Sequence, residues 1–139
     1  MKISARNQLK GTIANITEGA VNGVVTISCG EETIKADITM EAIKDLGLAE
    51  GKEAYAIVKA TNVMFATAKI AGISARNQLA GKIVAVKEGA VNGHVTIELA
   101  DGNCVSGSIT NAAIQELGLA EGQDAVAIIK ATDVIVGID

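Results

Sequence analysis

Arginine occurs twice in this 139-residue chain, as Arg6 and Arg76, each time inside the same string, ISARNQL, at 3–9 and 73–79. A guanidinium is a planar fork of donors that stays charged at any physiological pH, which suits an oxyanion better than an ammonium does. Ser4 and Ser74 stand two residues before the arginines, on the same face of an extended segment, and add a hydroxyl donor. Lys59 and Lys130 interrupt the apolar runs AYAIVKAT and AVAIIKAT, where a lysine is costly to bury without a partner. Arg, Lys, Ser and Thr recur in both halves with no carboxylate fixed beside them in sequence. Such an inventory of donors meets the needs of a dianion, and not those of a cation or a general base. The same residues also fit a solvated arginine on a strand, an arginine paired with a carboxylate such as Glu18, and a lysine whose stem covers apolar surface while its ammonium stays wet.

The string EGAVNG, at 18–23 and 88–93, is repeated as well. Turn geometry explains its glycines. Successive backbone N–H groups over Ala20, Val21 and Asn22, and over Ala90, Val91 and Asn92, could also form a small anion-binding nest. Glu18, Glu88, Glu50 and Glu121 flank glycines in apparent turns and read as solvated. Catalysis finds no support. His94 is the only histidine and stands against Val24 of the other copy. Zinc spacings, nucleophile–base pairs, paired carboxylates and phosphate-cradling glycine motifs do not occur. The expectation is a binding protein that is no enzyme, with no cofactor and no bare metal cation.

These residues sit in a tandem repeat. Residues 3–66 align with 73–137 at more than half of their positions, with one extra residue in the second copy. A unit of about 70 residues is too long for a solenoid repeat and suits a small domain. The expected organisation is a first domain at 1–67, a joint AKIAG at 68–72 and a second domain at 73–139. Identities cluster in the strings above and in LGLAEG and KAT, whereas 28–37 shares no residue with 98–108. Within a copy, ISARNQLKGTIANIT alternates like a strand. VVTIS and TIKADIT are β-branched runs around a polar turn and form a hairpin. TMEAIKDLG places Ala42, Ile43 and Leu46 at helical spacing after a threonine cap and before a glycine stop. EAYAIVKATNVMFA reads as one final buried strand. The order β-β-β-α-β in so short a unit predicts a mainly β chain of two tandem OB-like barrels, each with one short helix.

Composition narrows the classes further. Hydrophobic residues make up 49% of the chain and mean hydropathy is +0.36, so it is globular. Tyr55 and Phe65 are its only aromatics, and it has no Trp or Pro. A barrel this short with so few rings has a marginal core, which predicts burial against other copies of itself. Net charge is −4, with eight basic and eight acidic residues in 1–69 and four and eight in 70–139. A nucleic-acid-binding barrel needs a basic groove and stacking rings, so nucleic acid is not an expected partner. Cys29 and Cys104 fall at different positions of the repeat and read as reduced thiols. No signal-peptide core and no apolar stretch near the ~20 residues of a membrane span are present, so a cytoplasmic protein without membrane contact is expected.

At SARNQL, EGAVNG and IVKAT/IIKAT the sequence resembles the Mop domain family of molybdate-binding proteins, the molbindins, and its tandem form resembles the two-domain members. The resemblance covers both repeats. It implies cytoplasmic molybdate and tungstate binding for storage or homeostasis, and a homotrimer that mimics a hexamer of barrels with oxyanions at the interfaces. By the same resemblance, Ser4, Arg6, Lys59 and Ala60 form one half of a site, with Ser74, Arg76, Lys130 and Ala131 as its equivalent. Thr39 and Thr110 are then the contribution of the facing barrel, and the Ala20–Asn22 and Ala90–Asn92 turns a second class of site. The module also resembles the ligand-sensing end of a molybdate-responsive repressor. No DNA-binding segment precedes it in this sequence, so direct DNA binding is not expected. The alternative is an oligomeric scaffold whose repeated strings serve packing alone.

Overall fold

The computed structural model describes residues 1–139. The chain is mainly β. The first repeat holds β1 (Asn7–Thr17), β2 (Asn22–Cys29), β3 (Glu32–Thr39), helix α1 (Met40–Asp45), β4 (Glu53–Val58) and a three-residue strand β5 (Met64–Ala66). The second repeats the order with β6 (Asn77–Glu88), β7 (Asn92–Glu98), β8 (Cys104–Thr110), α2 (Asn111–Leu117), β9 (Asp124–Ile129) and β10 (Ile135–Gly137).

Local chemistry sets most of these elements. Leu9, Ile13, Val25, Ile27, Ile34 and Ala36 alternate with outward polar residues and are buried on one face, the period-two pattern of a one-sided sheet. Thr39 and Thr110 cap the two helices, each Oγ1 accepting from the N–H of Ala42 or Ala113 at 3.1 Å. Gly118 closes α2 with φ +64°, a backbone conformation that glycine reaches without strain. The EGAVNG turns lead into β2 and β7 and are latched to the helix starts. Met40 N–H donates to the Val21 carbonyl at 2.7 Å, and Asn111 N–H to that of Val91 at 2.8 Å.

The last strand of each repeat departs from the sequence reading. The stretch 53–66 is broken: β4 stops at Val58, a 3-10 turn covers Ala60–Asn62, and β5 crosses to the other repeat. The two five-stranded sheets run β10-β4-β1-β2-β3 and β5-β9-β6-β7-β8. The repeats thus exchange their final strands, with Val136 pairing across to Ala56 and Phe65 to Ala127. The ends of each sheet curl back into contact, β10 with β3 and β5 with β8, giving two OB-like units. Their interiors form one contiguous apolar core. The exchange is matched in volume. A Cβ on Gly107 would collide with the ring of Phe65. In the other unit Ala36 holds the place of Gly107, and the smaller Val136 that of Phe65.

Candidate functional site

The ladder between β1 and β4 ends with Asn7 opposite Val58, and that between β6 and β9 with Asn77 opposite Ile129. Arg6 and Lys59, and likewise Arg76 and Lys130, occupy the next positions beyond the ladder on neighbouring strands. Both lysines are exposed and open the 3-10 turns rather than lying within a strand. The cost of burying a lysine is therefore never incurred. Within those turns Asn62 N–H donates to the Lys59 carbonyl at 2.9 Å and Asp133 N–H to that of Lys130 at 3.0 Å. The N–H groups of Ala60 and Ala131 are left without an acceptor inside the turn.

The neighbouring asparagines fix where the arginines stand, a role sequence reasoning missed. Asn7 and Asn77 are buried, 2% and 1% exposed. The Asn77 Oδ1 accepts from Lys35 N–H at 2.7 Å while its Nδ2 donates to the Lys35 carbonyl at 2.8 Å. Asn7 makes the same pair with Ser106, both at 2.8 Å. Each amide thus completes the free edge of β3 or β8, the outermost strand of the other unit. The adjacent arginine is carried to the junction between units. Gln78 braces the joint in the same manner, exchanging two bonds of 2.7 Å with the backbone of Ile70. The signal was present in the alternation: Asn7, Leu9 and Ile13 share a face, so the asparagine falls on the inward side and demands partners.

In the second set, Ser74, Arg76, Lys130 and Ala131 line one cavity of about 460 Å³, together with Met64, Thr132 and Asp37 of the facing unit. Arg76 also borders a second groove containing Glu32 and Lys69. In the first set, Arg6 lies over the outer face of β6, β7 and β8, lining a cavity of about 310 Å³ with Lys87, His94, Thr96 and Ser106. Ser4, Lys59 and Ala60 are not among that cavity's walls. Neither arginine makes an ion pair. The three pairs in the chain join Met1 to Asp139, Lys10 to Glu53 and Lys82 to Asp124. Two permanent cations at a junction, neither held in an ion pair, can accept an external anion.

Thr39 and Thr110 line neither cavity, and their hydroxyl oxygens are engaged as helix caps. The Ala20–Asn22 and Ala90–Asn92 turns are exposed at the starts of β2 and β7 and also line neither. Their valines, Val21 and Val91, are 74% and 72% exposed. The largest groove, about 630 Å³ beside Thr67–Lys69, contains none of the residues singled out from the sequence. No helix is long and apolar enough to cross a membrane.

Comparison with known proteins follows the same division into repeats. Residues 3–65 and 73–136 each match the model of the TOBE domain. The molybdenum transport protein ModE of Azotobacter vinelandii is 40% identical over 139 residues, covering 99% of this chain and 52% of that protein. Molybdenum-pterin-binding protein 3 of Clostridium pasteurianum is 50% identical over 64 residues, covering 46% of this chain and 94% of that protein. A crystal structure of the cytoplasmic molybdate-binding protein ModG, with molybdate bound, matches at a TM-score of 0.95 and 44% identity over 100% of both chains. The chain spans about half the length of the first curated relatives it matches. With both repeats matched by one domain model, the chain belongs to the TOBE-domain family, as a tandem pair of its modules.

Proposed function

We propose that this chain binds molybdate, and tungstate alike, in the cytoplasm, and serves molybdenum storage or homeostasis rather than catalysis. One observation carries the reading: Ser74, Arg76, Lys130 and Ala131, from separate segments, surround one cavity and leave both cations unpaired. The molybdate-bound ModG likeness supports the choice of ligand. Molybdate is a doubly charged tetrahedron with four acceptor oxygens and no donor at neutral pH. Charge-assisted bonds from Arg and Lys, with Ser and backbone N–H groups, satisfy it at about 1.5–3 kcal/mol each. The first set, Ser4, Arg6, Lys59 and Ala60, is the equivalent half-site.

A homotrimer, with Thr39 or Thr110 of a facing barrel completing each site, accounts for exposed donors in a single chain. The exposed Val21 and Val91 turns then form the second class of site where copies meet. Ligand that binds only the assembled form stabilises it by mass action. Equilibrium dialysis with molybdate, paired with thermal melts, tests this. Saturating molybdate raises the melting temperature of the wild type, and Arg6→Ala with Arg76→Ala abolishes both uptake and shift while the oligomer persists. An unchanged melt and no uptake refute the reading. Loss of the oligomer with uptake unaffected supports a packing role for the repeated strings instead.

A further inference from the structure

Of the first arginine set, Arg6 alone lines its cavity, and the other walls come from the outer face of the second unit. Lys87 stands there on β6, His94 and Thr96 on β7, and Ser106 on β8. Lys87 and His94 are directly opposite in the β6–β7 ladder, as Thr96 and Ser106 are in the β7–β8 ladder. Thr96 Oγ1 and Ser106 Oγ lie 2.8 Å apart, so one hydroxyl hydrogen joins them and the other is left to donate elsewhere. None of Arg6, Lys87 and His94 is held in an ion pair. The same places in the first unit hold Thr17, Val24, Thr26 and Lys35, so the histidine and its facing lysine belong to the second unit alone.

Two cations, a spare hydroxyl donor and an imidazole thus line a cavity of about 310 Å³ that contains no carboxylate. Histidine is the side chain that ordinarily changes charge between about pH 5 and 8. We propose that Arg6, Lys87, His94 and the Thr96–Ser106 hydroxyl pair form a site for a tetrahedral dianion, and that His94 takes up a proton as the anion enters. Like charges directly across a ladder oppose each other; a dianion between Lys87 and the ring removes that opposition and adds a charge-assisted bond. The remaining neighbours of His94 supply no competing acid. β8 sets Ser108 across from it, and Lys59 opens the 3-10 turn packed on β8. Glu88 stands across from Gly93, on the other face of the ladder. Glu98 shares the outward face but lies four residues along β7, roughly 13 Å away at the rise of a strand. α2 packs from the core side, where Ile114 lies beneath Gly93. Anion and proton therefore bind together, and affinity rises as pH falls through the histidine range. Molybdate as the anion rests on the function proposed above; the hold of the cluster on a tetrahedral dianion does not.

His94 is the only histidine in the chain, which makes the test direct. Proton NMR of the full chain follows its ring from about pH 5.5 to 8.5, in sodium chloride, sodium sulfate and sodium molybdate at equal ionic strength. Sulfate is a tetrahedral dianion with no proton of its own to exchange over that range. The midpoint of the ring's titration rises by about one pH unit in either dianion, the equivalent of tenfold tighter binding to the protonated site. Arg6→Ala removes that displacement, and Lys87→Thr, which copies Thr17, reduces it. Calorimetry in buffers of different ionisation heat records proton uptake with molybdate, and His94→Val, which copies Val24, abolishes the uptake. A ring that titrates alike in all three salts overturns the inference, and where dialysis still shows molybdate uptake the proposed function stands. A displacement that survives Arg6→Ala overturns the inference as well. If molybdate is not taken up while sulfate displaces the titration through Arg6, the proposed function falls and the anion site stands.

Discussion

Replacing Asn77 by Ala probes the device that joins the two units. The side chain is 1% exposed and makes two bonds, 2.7 Å from the Lys35 N–H and 2.8 Å to the Lys35 carbonyl. Truncation removes both and leaves two backbone groups of β3 facing a small void. Each buried orphan costs about 1–3 kcal/mol. β3 is the last strand of its sheet, so water partly rehydrates it and the total is about 2–4 kcal/mol rather than the full sum. For a chain of this length that is a loss of roughly 6–15 °C in Tm. Asn77→Asp separates the two bonds. A carboxylate still accepts from Lys35 N–H but confronts the Lys35 carbonyl with a second acceptor, so its protonated form is favoured in the native state. The folded pKa then exceeds the unfolded value of about 3.9. The native state binds the extra proton, and stability falls as pH rises from that unfolded value through the raised one. Circular dichroism melts from pH 4 to 8 read both effects. A Tm within about 2 °C of wild type for Asn77→Ala, or a pH profile of Asn77→Asp parallel to wild type, refutes the role given to this amide.

The exchanged strands and the cysteines supply further expectations. Gly107→Ala, which drives a methyl group into Phe65, costs about 1–3 kcal/mol by overpacking, and Phe65→Val restores most of it because that pair then matches Ala36 with Val136; urea unfolding of the two variants decides. Burial pushes the Cys29 thiol up to about 11, whereas Cys104 is exposed. At pH 7.5 an aromatic disulfide reagent therefore modifies Cys104 promptly and reaches Cys29 only on unfolding; equal rates in the native protein contradict the burial.

How much of this was legible in the sequence follows from the range of the forces involved. The hairpins and helices could be read because their causes are local: Thr39 and Thr110 cap, glycines stop, and Val25, Ile27 and Ile34 alternate. The strand exchange could not. Ile57 to Phe65 is nearly as apolar as one buried strand, and which sheet three residues join is settled by the volume beneath them, Gly107 under Phe65. The polar break Lys59-Ala60-Thr61-Asn62 was the only local sign of a turn. The arginines, lysines and serines were singled out by their repetition, and the chain brings Ser74, Arg76, Lys130 and Ala131 to one cavity. Asn7 and Asn77 were passed over within the same string because asparagine suggests no anion chemistry. Asp37 was missed for the opposite reason: it lies in the stretch where the copies share nothing.

That division has a physical basis in the exchange itself. Each unit gives the other its final strand, its 3-10 turn and one asparagine amide, so the arginine beside that amide never rests on its own sheet. The bonds that seal the edges of β3 and β8 against other strands are the same bonds that place Arg76 and Arg6. Forming the core and forming the sites are consequently one event, and substitutions in the shared string disturb both. Among outward side chains of the receiving sheets, Asp37 on β3 and His94 and Thr96 on β7 line the arginine cavities and take no part in those bonds. Duplication thus leaves one scaffold with two arginine cavities that differ in charge: Asp37 lines that of Arg76, and no carboxylate lines that of Arg6.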